Sequence, residues 1–508
     1  MTLSFFIPNK NEIVASLTLF FLIFTFYSNG FSISRKKEFN INLVIGWSFF
    51  SFICVLFGAV LKIKLNYIIN IYTISSILLI VKNFKYFRFL AIKKYLFLIP
   101  VFFLFLNTKS HGWDSYAYIL DRTIYLFNND QFPIHQFRAN YPFSSSLIHY
   151  YSNFYSNNFT ENIPALFDLI LVVGSIEIFS KLLFGNFKTS YSYLTLIFSF
   201  LVLFNPMVMN VYSFSAYEDF HVAYILLVIF YFNYQNGFDL KKLLTNKKIY
   251  FFLLSLLTVS KAPGFVHSGS ILLANLLVYL FFNIFDYKIF KKYIILCLLS
   301  FSQFFLWQYH ILINDIFIGN NFKGFRLGVF ENILVNYYNQ FLVKKLLVFS
   351  NFLFMFSSLI ICWAFKDKKI IKMFVFVSIP VFIWNLFLLI FFIFIQGDGF
   401  AKEFHNFFRF LSHFSLIFTS MYLIVFFKYI KFTHIKIIKF KTILLLILYI
   451  AILANLKHYR RDLSDEYKIL YSIKKEGLQK IIKNKERYNN LENIIINFHK
   501  KNQNILKK

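Results

Sequence analysis

Long apolar runs recur along the whole chain, and each is about as long as a lipid bilayer is thick. The chain is 58% hydrophobic and only 15% charged, a balance that soluble domains do not show. A helix needs about 20 apolar residues to cross the hydrocarbon core, and many of these runs approach or reach that length. The runs are continuous rather than alternating, which argues against a β-barrel. We therefore predict an all-α fold, a polytopic transmembrane helical bundle of about 12–14 spans.

The apolar runs also suggest how the chain is organised. We predict N-terminal membrane helices over 1–94, a second transmembrane module over 95–456, to which the candidate site residues below belong, and a basic tail, amphipathic or disordered, over 457–508. The candidate spans are 13–31, 41–61, 66–81, 95–106, 162–184, 192–209, 217–234, 249–260, 264–283, 293–309, 346–365, 373–395, 410–427 and 442–456.

The net charge of +30 lies largely in the connectors between these runs and in the tail. That distribution favours a multi-pass protein of the cell membrane, in contact with lipids, over a partner of nucleic acid. The basic connectors are 35–37, 82–94, 241–248, 288–292, 366–372 and 428–441. They fall on one side if the spans alternate, so that side is predicted to be cytoplasmic. The loops 107–161, 210–216, 310–345 and 396–409 are then extracytoplasmic, and we expect the outer loops to form the active site.

The first large outer loop carries the leading candidate for chemistry. Asp114 follows an apolar run almost directly, and a carboxylate at a bilayer boundary is unfavourable unless it is paired or used. Asp121 and Arg122 come seven and eight residues later, so a helix starting near Asp114 would bring Asp121 to roughly the same face. Capping of that helix is the alternative role for Asp114.

The same loop contains further polar candidates around Pro142. Arg138 is a candidate phosphate contact, because a guanidinium matches phosphate oxygens, and an ordinary loop arginine is the alternative. Tyr141 precedes Pro142, and a new helix is predicted to open at 144–146. The loop histidines 111, 135 and 149 fit no familiar zinc spacing, so no metal ligands are assigned.

Three later motifs lie on the same predicted face. Glu218 and Asp219 begin a span, where they serve either as first-turn charges or as groups that bind a sugar hydroxyl, a metal, or a lipid phosphate through a metal. Lys261 sits at a Pro-Gly helix break, placed to meet an anion or to snorkel to the interface. Arg409 enters a late span, and an arginine there is a functional hypothesis by default.

The ordered set of motifs resembles the GT-C superfamily of polytopic glycosyltransferases, in its protein-mannosyltransferase and aminoarabinose-transferase-like group. The segments that carry the resemblance are Trp113-Asp114, Tyr141-Pro142-Phe143-Ser144, Tyr217-Glu218-Asp219-Phe220-His221, Lys261-Ala262-Pro263-Gly264 and Arg409. They cover about residues 95–427. Phe143 and His221 stand where the group usually has proline, and about four candidate spans precede the first loop where one is usual.

The resemblance implies a reaction and roles for the residues. A sugar would pass from a polyprenyl-phosphate donor to an envelope glycan, lipid or protein acceptor on the extracytoplasmic face. Asp114 would be the general base and would activate the acceptor. The remaining assignments are phosphate contacts for Arg138, Lys261 and Arg409, and donor or acceptor binding for Glu218, Asp219, Tyr141, Asp121 and Arg122. No cofactor is expected, although the residues leave open whether a divalent metal takes part.

Other functions remain open. A lipid-linked glycan polymerase or ligase would share the chemistry and would be expected to rely mainly on outer-loop arginines. A flippase or transporter of a lipid-linked glycan would need polar residues inside the spans, where Asp168 and Glu177 are exceptions in otherwise uncharged segments. A membrane scaffold without catalysis is the third alternative.

Overall fold

The protein is described by a computed structural model that places part of the chain. The described residues are 10–84, 119–134, 139–184, 218–316, 324–343, 367–395, 410–418, 420, 421 and 424, with the backbone alone at 183–184 and 337–343. The chain divides into two compact units. The larger comprises Met1–Tyr155 and Thr160–Ile435, and the smaller comprises Ser156–Phe159 and Lys436–Lys508. In the smaller unit only the loop Ser156–Phe159 is described.

Helices are the regular elements throughout the described residues, which contain no strand, and the predicted all-α fold is confirmed. In chain order they are α1 (Lys10–Ser34), α2 (Phe39–Ile53, continued by a π-helical turn, Cys54–Val60), α3 (Leu65–Asn83), α4 (Asp121–Asn129), α5 (Ser144–Asn153), α6 (Ile163–Phe184), α7 (Asp219–Gln235), α8 (Leu240–Thr245), α9 (Lys247–Ser260), α10 (Gly264–Phe282), α11 (Tyr287–Ser300), α12 (Ser302–Ile313), α13 (Leu327–Val343) and α14 (Lys368–Phe394). A 3₁₀ turn, Ser412–Phe414, lies within the helical segment 410–418.

Seven apolar helices in the described ranges are long enough to cross a membrane. They are Lys10–Ser34, Phe39–Val60, Leu65–Asn83, Ile163–Leu182, Gly264–Phe282, Tyr287–Ile313 and Lys368–Phe394. Each corresponds to a predicted span. The spans predicted at 95–106, 192–209, 346–365 and 442–456, and the domain boundaries predicted after 94 and 456, lie outside the described residues. A polytopic helical membrane protein is therefore established, while the total number of spans stays a prediction.

Glycines bring α1 and α2 into close contact. A Cβ atom on Gly30 would overlap the backbone of Asn42, and one on Gly46 would overlap the carbonyl oxygen of Phe26. Small residues let membrane helices approach closely, because association in lipid depends on packing rather than on hydrophobic burial. This pair of helices also positions α5, because the Trp47 indole nitrogen of α2 donates to the Ser144 carbonyl oxygen at the start of α5 (3.2 Å).

Basic connectors meet at one end of the larger unit. Lys181, at the end of α6, lies 2.5 Å from Glu38, which precedes α2. Lys369, at the start of α14, lies 3.8 Å from the ring centre of Tyr234, near the end of α7. The Tyr231 hydroxyl of α7 also donates to Glu38 (3.4 Å), so the ends of α1, α6 and α7 lie together and the start of α7 lies at the opposite end of the bundle.

A helix occupies part of the predicted outer loop 310–345. Helix α13 follows Gly324, which has a positive φ of 74°, and Arg326, which donates to the carbonyl oxygens of Phe392 (3.1 Å) and Ile393 (3.0 Å). A cation at a helix C-terminus satisfies carbonyl groups that lack an intrahelical partner. Arg326 therefore joins the start of α13 to the last turn of α14, which spacing along the sequence did not indicate.

The close contact between α1 and α2 predicts that alanine destabilises the protein at Gly46 but not at Gly269, which lies in α10. Gly46→Ala should lower the melting temperature by several degrees, because overpacking costs about 1–3 kcal/mol. Gly269→Ala is the control, since its nearest neighbour would be the Phe301 ring at an ordinary 3.8 Å. It should leave the melting temperature unchanged or raise it, because alanine favours a helix over glycine by about 1 kcal/mol. Thermal unfolding of the purified protein in detergent measures both, and equal melting temperatures would contradict the close packing.

Candidate functional site

The predicted site residues fall into two groups. Asp114, Arg138 and Arg409 lie outside the described residues, so their roles stay predictions. The others are described and lie in helices or helix breaks of the larger unit. They are Asp121, Arg122, Tyr141, Glu218, Asp219 and Lys261.

Two adjacent carboxylates at the start of α7 form the centre of the site. Glu218 precedes the helix and Asp219 lies in its first turn, where the helix dipole favours negative charge. Both are almost fully buried, and each meets a cation from a distant part of the chain. Arg122 Nη2 lies 3.4 Å from Glu218 Oε1, and Lys261 Nζ is in direct contact with Asp219 Oδ1. Buried charges are stable only when they are paired in this way.

Arg122 is held in place by more than Glu218. It lies in the first turn of α4, is 1% exposed, and donates through Nη1 to the Pro142 carbonyl oxygen at 3.1 Å. Its guanidinium carbon lies 4.9 Å from the ring centre of Phe143 and 5.9 Å from that of Tyr141. Arg122 therefore connects α4, the turn before α5 and the start of α7. Asp121, its neighbour in the chain, is also buried.

The predicted helix break at Lys261 is confirmed, and it places the lysine beside Asp219. Helix α9 ends at Ser260, Lys261 adopts an extended backbone, and α10 begins at Gly264. A Cβ on Gly264 would overlap the carbonyl oxygen of Leu257, so the tight connection requires glycine. The Lys261 ammonium also lies 5.2 Å from the ring centre of Phe410, a cation–π distance.

Two histidines that were not recognised in the sequence complete the cluster. His413, in the segment 410–418, lies with Nε2 2.9 Å from Asp219 Oδ1. Its Nδ1 lies 3.0 Å from Nε2 of His267 in α10. The Trp384 ring packs on both imidazoles, with its centre 4.0 Å from that of His267 and 5.4 Å from that of His413. A histidine within an apolar span is itself a functional signal, and that signal was present in the sequence.

A second histidine network lies beside the first. His221, in the first turn of α7, is 2.8 Å through Nδ1 from Ser145 Oγ and 3.0 Å through Nε2 from Asp168 Oδ1. The latter two atoms are within ion-pair distance but are not aligned as a hydrogen bond. The helix predicted to open at 144–146 is confirmed as α5, and Asp168, the intramembrane carboxylate, is buried in α6.

Burial shifts the protonation of two groups at this end of the bundle. Burial raises the pKa of the Glu218 carboxyl, while Arg122 and Lys261 act in the opposite direction. The pKa of His149 in α5 is well below its usual value, first because of burial and then because of His221 and Arg122. His149 is therefore a neutral imidazole at neutral pH.

The arrangement brings cations, carboxylates and neutral imidazole together away from water. Cations of this kind stabilise a developing anion most strongly where water is excluded, and carboxylate or imidazole can take a proton. Among the described residues, no group of three or more His, Cys, Asp or Glu side chains is placed to hold a metal ion.

Comparison of the chain with family models, with curated proteins and with solved structures finds no match. The resemblance to the GT-C glycosyltransferases therefore stays a prediction, carried by the motif residues themselves.

The pair formed by Arg122 and Glu218 predicts strongly non-additive substitutions. Arg122→Met leaves a buried carboxylate without its cation and should destabilise the protein by about 3–5 kcal/mol. Glu218→Met alone removes the carboxylate that pairs with the buried guanidinium, with a similar effect. The double variant removes both charges and should be more stable than either single variant. Thermal unfolding of the four proteins measures this coupling, and additive effects would show that the pair contributes nothing.

Proposed function

We propose that this protein is a membrane glycosyltransferase. It transfers a sugar from a polyprenyl-phosphate donor to an envelope glycan, lipid or protein acceptor on the extracytoplasmic face. One observation carries the proposal: residues of separate predicted motifs converge in one buried cluster. Glu218 and Asp219 meet Arg122 and Lys261, which are 96 and 42 residues away in the chain.

The cations of this cluster suit a donor with a phosphate leaving group. As the bond between the sugar and the phosphate breaks, negative charge develops on phosphate oxygen, and fixed positive groups stabilise it. An ammonium has three donors, so Lys261 is able to keep its contact with Asp219 while it meets a phosphate oxygen. Such a donor needs no nucleotide-binding domain. Asp114 remains the predicted base for the acceptor.

The position of the cluster supports the proposed sidedness. It lies at the start of α7, whereas the basic connectors marked by Lys181 and Lys369 gather near that helix's other end. By the positive-inside rule the basic end is cytoplasmic, and the cluster then faces outward. The polymerase or ligase alternative would use the same face and the same chemistry.

One observation favours the transport alternative as a second candidate. Asp168 and His221 are paired inside the helical bundle, and both are fully buried. Carboxylate–histidine pairs inside membranes are typical of proton-coupled transporters. A proton-driven flippase of a lipid-linked glycan would therefore depend on Asp168 rather than on Asp114.

With Asp114 as the base, as the resemblance implies, Asp114→Asn should leave the protein abundant in the membrane and inactive. Glycan mass spectrometry should show one sugar missing from a deletion strain and from the strain carrying Asp114→Asn, and restored by the unaltered protein. Lys261→Met should reduce the same product at least 10-fold, because a stabilising cation contributes several kcal/mol in a dry site.

Asp315→Asn is the matched control, since it makes the same change at an exposed carboxylate beyond α12. It should restore the glycan fully. If Asp114→Asn also restores it while Asp168→Asn does not, the transport function replaces the catalytic one. If the deletion strain keeps every glycan, the proposed function is wrong.

The proposed sidedness predicts which cysteines react from outside the cell. A cysteine at the exposed position 155, in the predicted outer loop 107–161, should react with a membrane-impermeant maleimide on intact cells. A cysteine at the exposed position 242, beside the basic connectors, should react only after permeabilisation. The reverse pattern would place the cluster in the cytoplasm.

A further inference from the structure

A continuous chain of contacts runs from Asp219 through two histidines. Asp219 Oδ1 contacts His413 Nε2 at 2.9 Å, and His413 Nδ1 contacts His267 Nε2 at 3.0 Å. The three residues come from α7, the segment 410–418 and α10, and His267 is 146 residues from His413 in the chain. All three are almost completely buried. The contacts therefore form inside the bundle and not on its surface.

The chemistry of the groups fixes where the protons lie when both imidazoles are neutral. An ionised carboxylate only accepts, so the proton of His413 must be on Nε2. His413 Nδ1 is then an acceptor, and the proton of His267 must be on Nε2. His267 Nδ1 therefore carries a lone pair. The order of the contacts leaves no other arrangement for two neutral rings.

This series of contacts ends at a nitrogen atom that has no hydrogen-bond partner in the described part of the chain. His267 Nδ1 is fully buried and has no hydrogen-bond partner among the described residues. A buried polar atom without a partner is costly. Other buried nitrogens share this property, those of His149 and Nε2 of His310 among them, but His267 Nδ1 stands at the end of a chain of contacts that begins at a carboxylate. The ring itself is firmly held, because Trp384 packs against its face and donates through Nε1 to the Phe410 carbonyl oxygen at 3.0 Å.

We propose that His267, His413 and Asp219 form a proton relay, and that His267 Nδ1 takes the proton of a substrate hydroxyl. The proposal rests on the transfer reaction proposed above and identifies the group that receives the proton. His267 touches the substrate and is the catalytic residue. His413 and Asp219 act through it as positioning residues.

The step balances with the groups present. The hydroxyl oxygen of the acceptor forms a bond to the anomeric carbon, while the bond from that carbon to the phosphate oxygen breaks and its electron pair leaves with the phosphate. The hydroxyl proton binds His267 Nδ1. The proton on His267 Nε2 passes to His413 Nδ1, so the positive charge comes to rest beside the Asp219 carboxylate. The resemblance gives this proton to Asp114 instead, and the two assignments differ in which variant loses activity.

Glutamine at position 267 separates the catalytic role from a structural one. In His267→Gln the amide nitrogen still donates to His413 Nδ1, but the side chain cannot take a proton. The glycan lost in the deletion strain should fall at least 100-fold at normal protein abundance, as expected for loss of a general base. His310→Gln is the matched control, because His310 is a buried histidine that contacts the Ala59 carbonyl oxygen outside the cluster (2.8 Å). Full glycan with His267→Gln would overturn the relay and leave Asp114 as the base.

Nitrogen NMR tests the relay without using the sugar reaction. The full-length protein is labelled with ¹⁵N-histidine and reconstituted in lipid bilayers at neutral pH, and His267 is assigned from the His267→Gln spectrum. His267 should show a protonated Nε2 and an unprotonated Nδ1. A protonated Nδ1 would overturn the relay even if the glycan results support a transferase. If the deletion strain keeps every glycan, the proposed function fails. The spectrum then still tests whether His267 Nδ1 is free to accept a proton.

Discussion

The Asp219 carboxylate is the interaction on which this end of the bundle depends. A single oxygen meets both Lys261 and His413, so one charge joins α7, the break between α9 and α10, and the segment 410–418. A carboxylate buried this deeply is tolerated only when opposite charge and hydrogen bonds compensate its lost hydration. The loss of either partner would therefore disturb three parts of the fold at once.

Helices α1, α2 and α5, which lie outside the charged cluster, help to position it. The glycine contacts between α1 and α2 fix the position of Trp47, whose indole binds the start of α5 and whose ring meets His221 edge-on, with centres 5.6 Å apart. Helix α5 in turn follows Pro142, which accepts from Arg122. Close packing of α1 against α2 thus reaches the charged cluster through hydrogen bonds, and the site depends on helices that contribute no residue to it.

The sequence predicted the helices well because the lengths of apolar runs carry that information directly. It also predicted the break at Lys261, since Pro263 and Gly264 interrupt a helix for local reasons. It did not predict the partners of Asp219. Helices such as α7 and α10 are apolar on every side, so no periodic pattern shows which face meets which neighbour. The contact between His267 and His413 depends on that choice, and Arg326 was missed for the same reason.

The two carboxylate–histidine networks differ in a way that assigns them different roles. Both ring nitrogens of His221 face protein oxygens, those of Ser145 and Asp168. Protein groups therefore lie beside both nitrogens of the His221 ring, and these contacts help to hold α7 in place. The chain from Asp219 ends instead on the lone pair of His267, which faces no described partner. Since the same helix α7 contributes to both, the contacts of His221 also help to hold Asp219 in position for the relay proposed above.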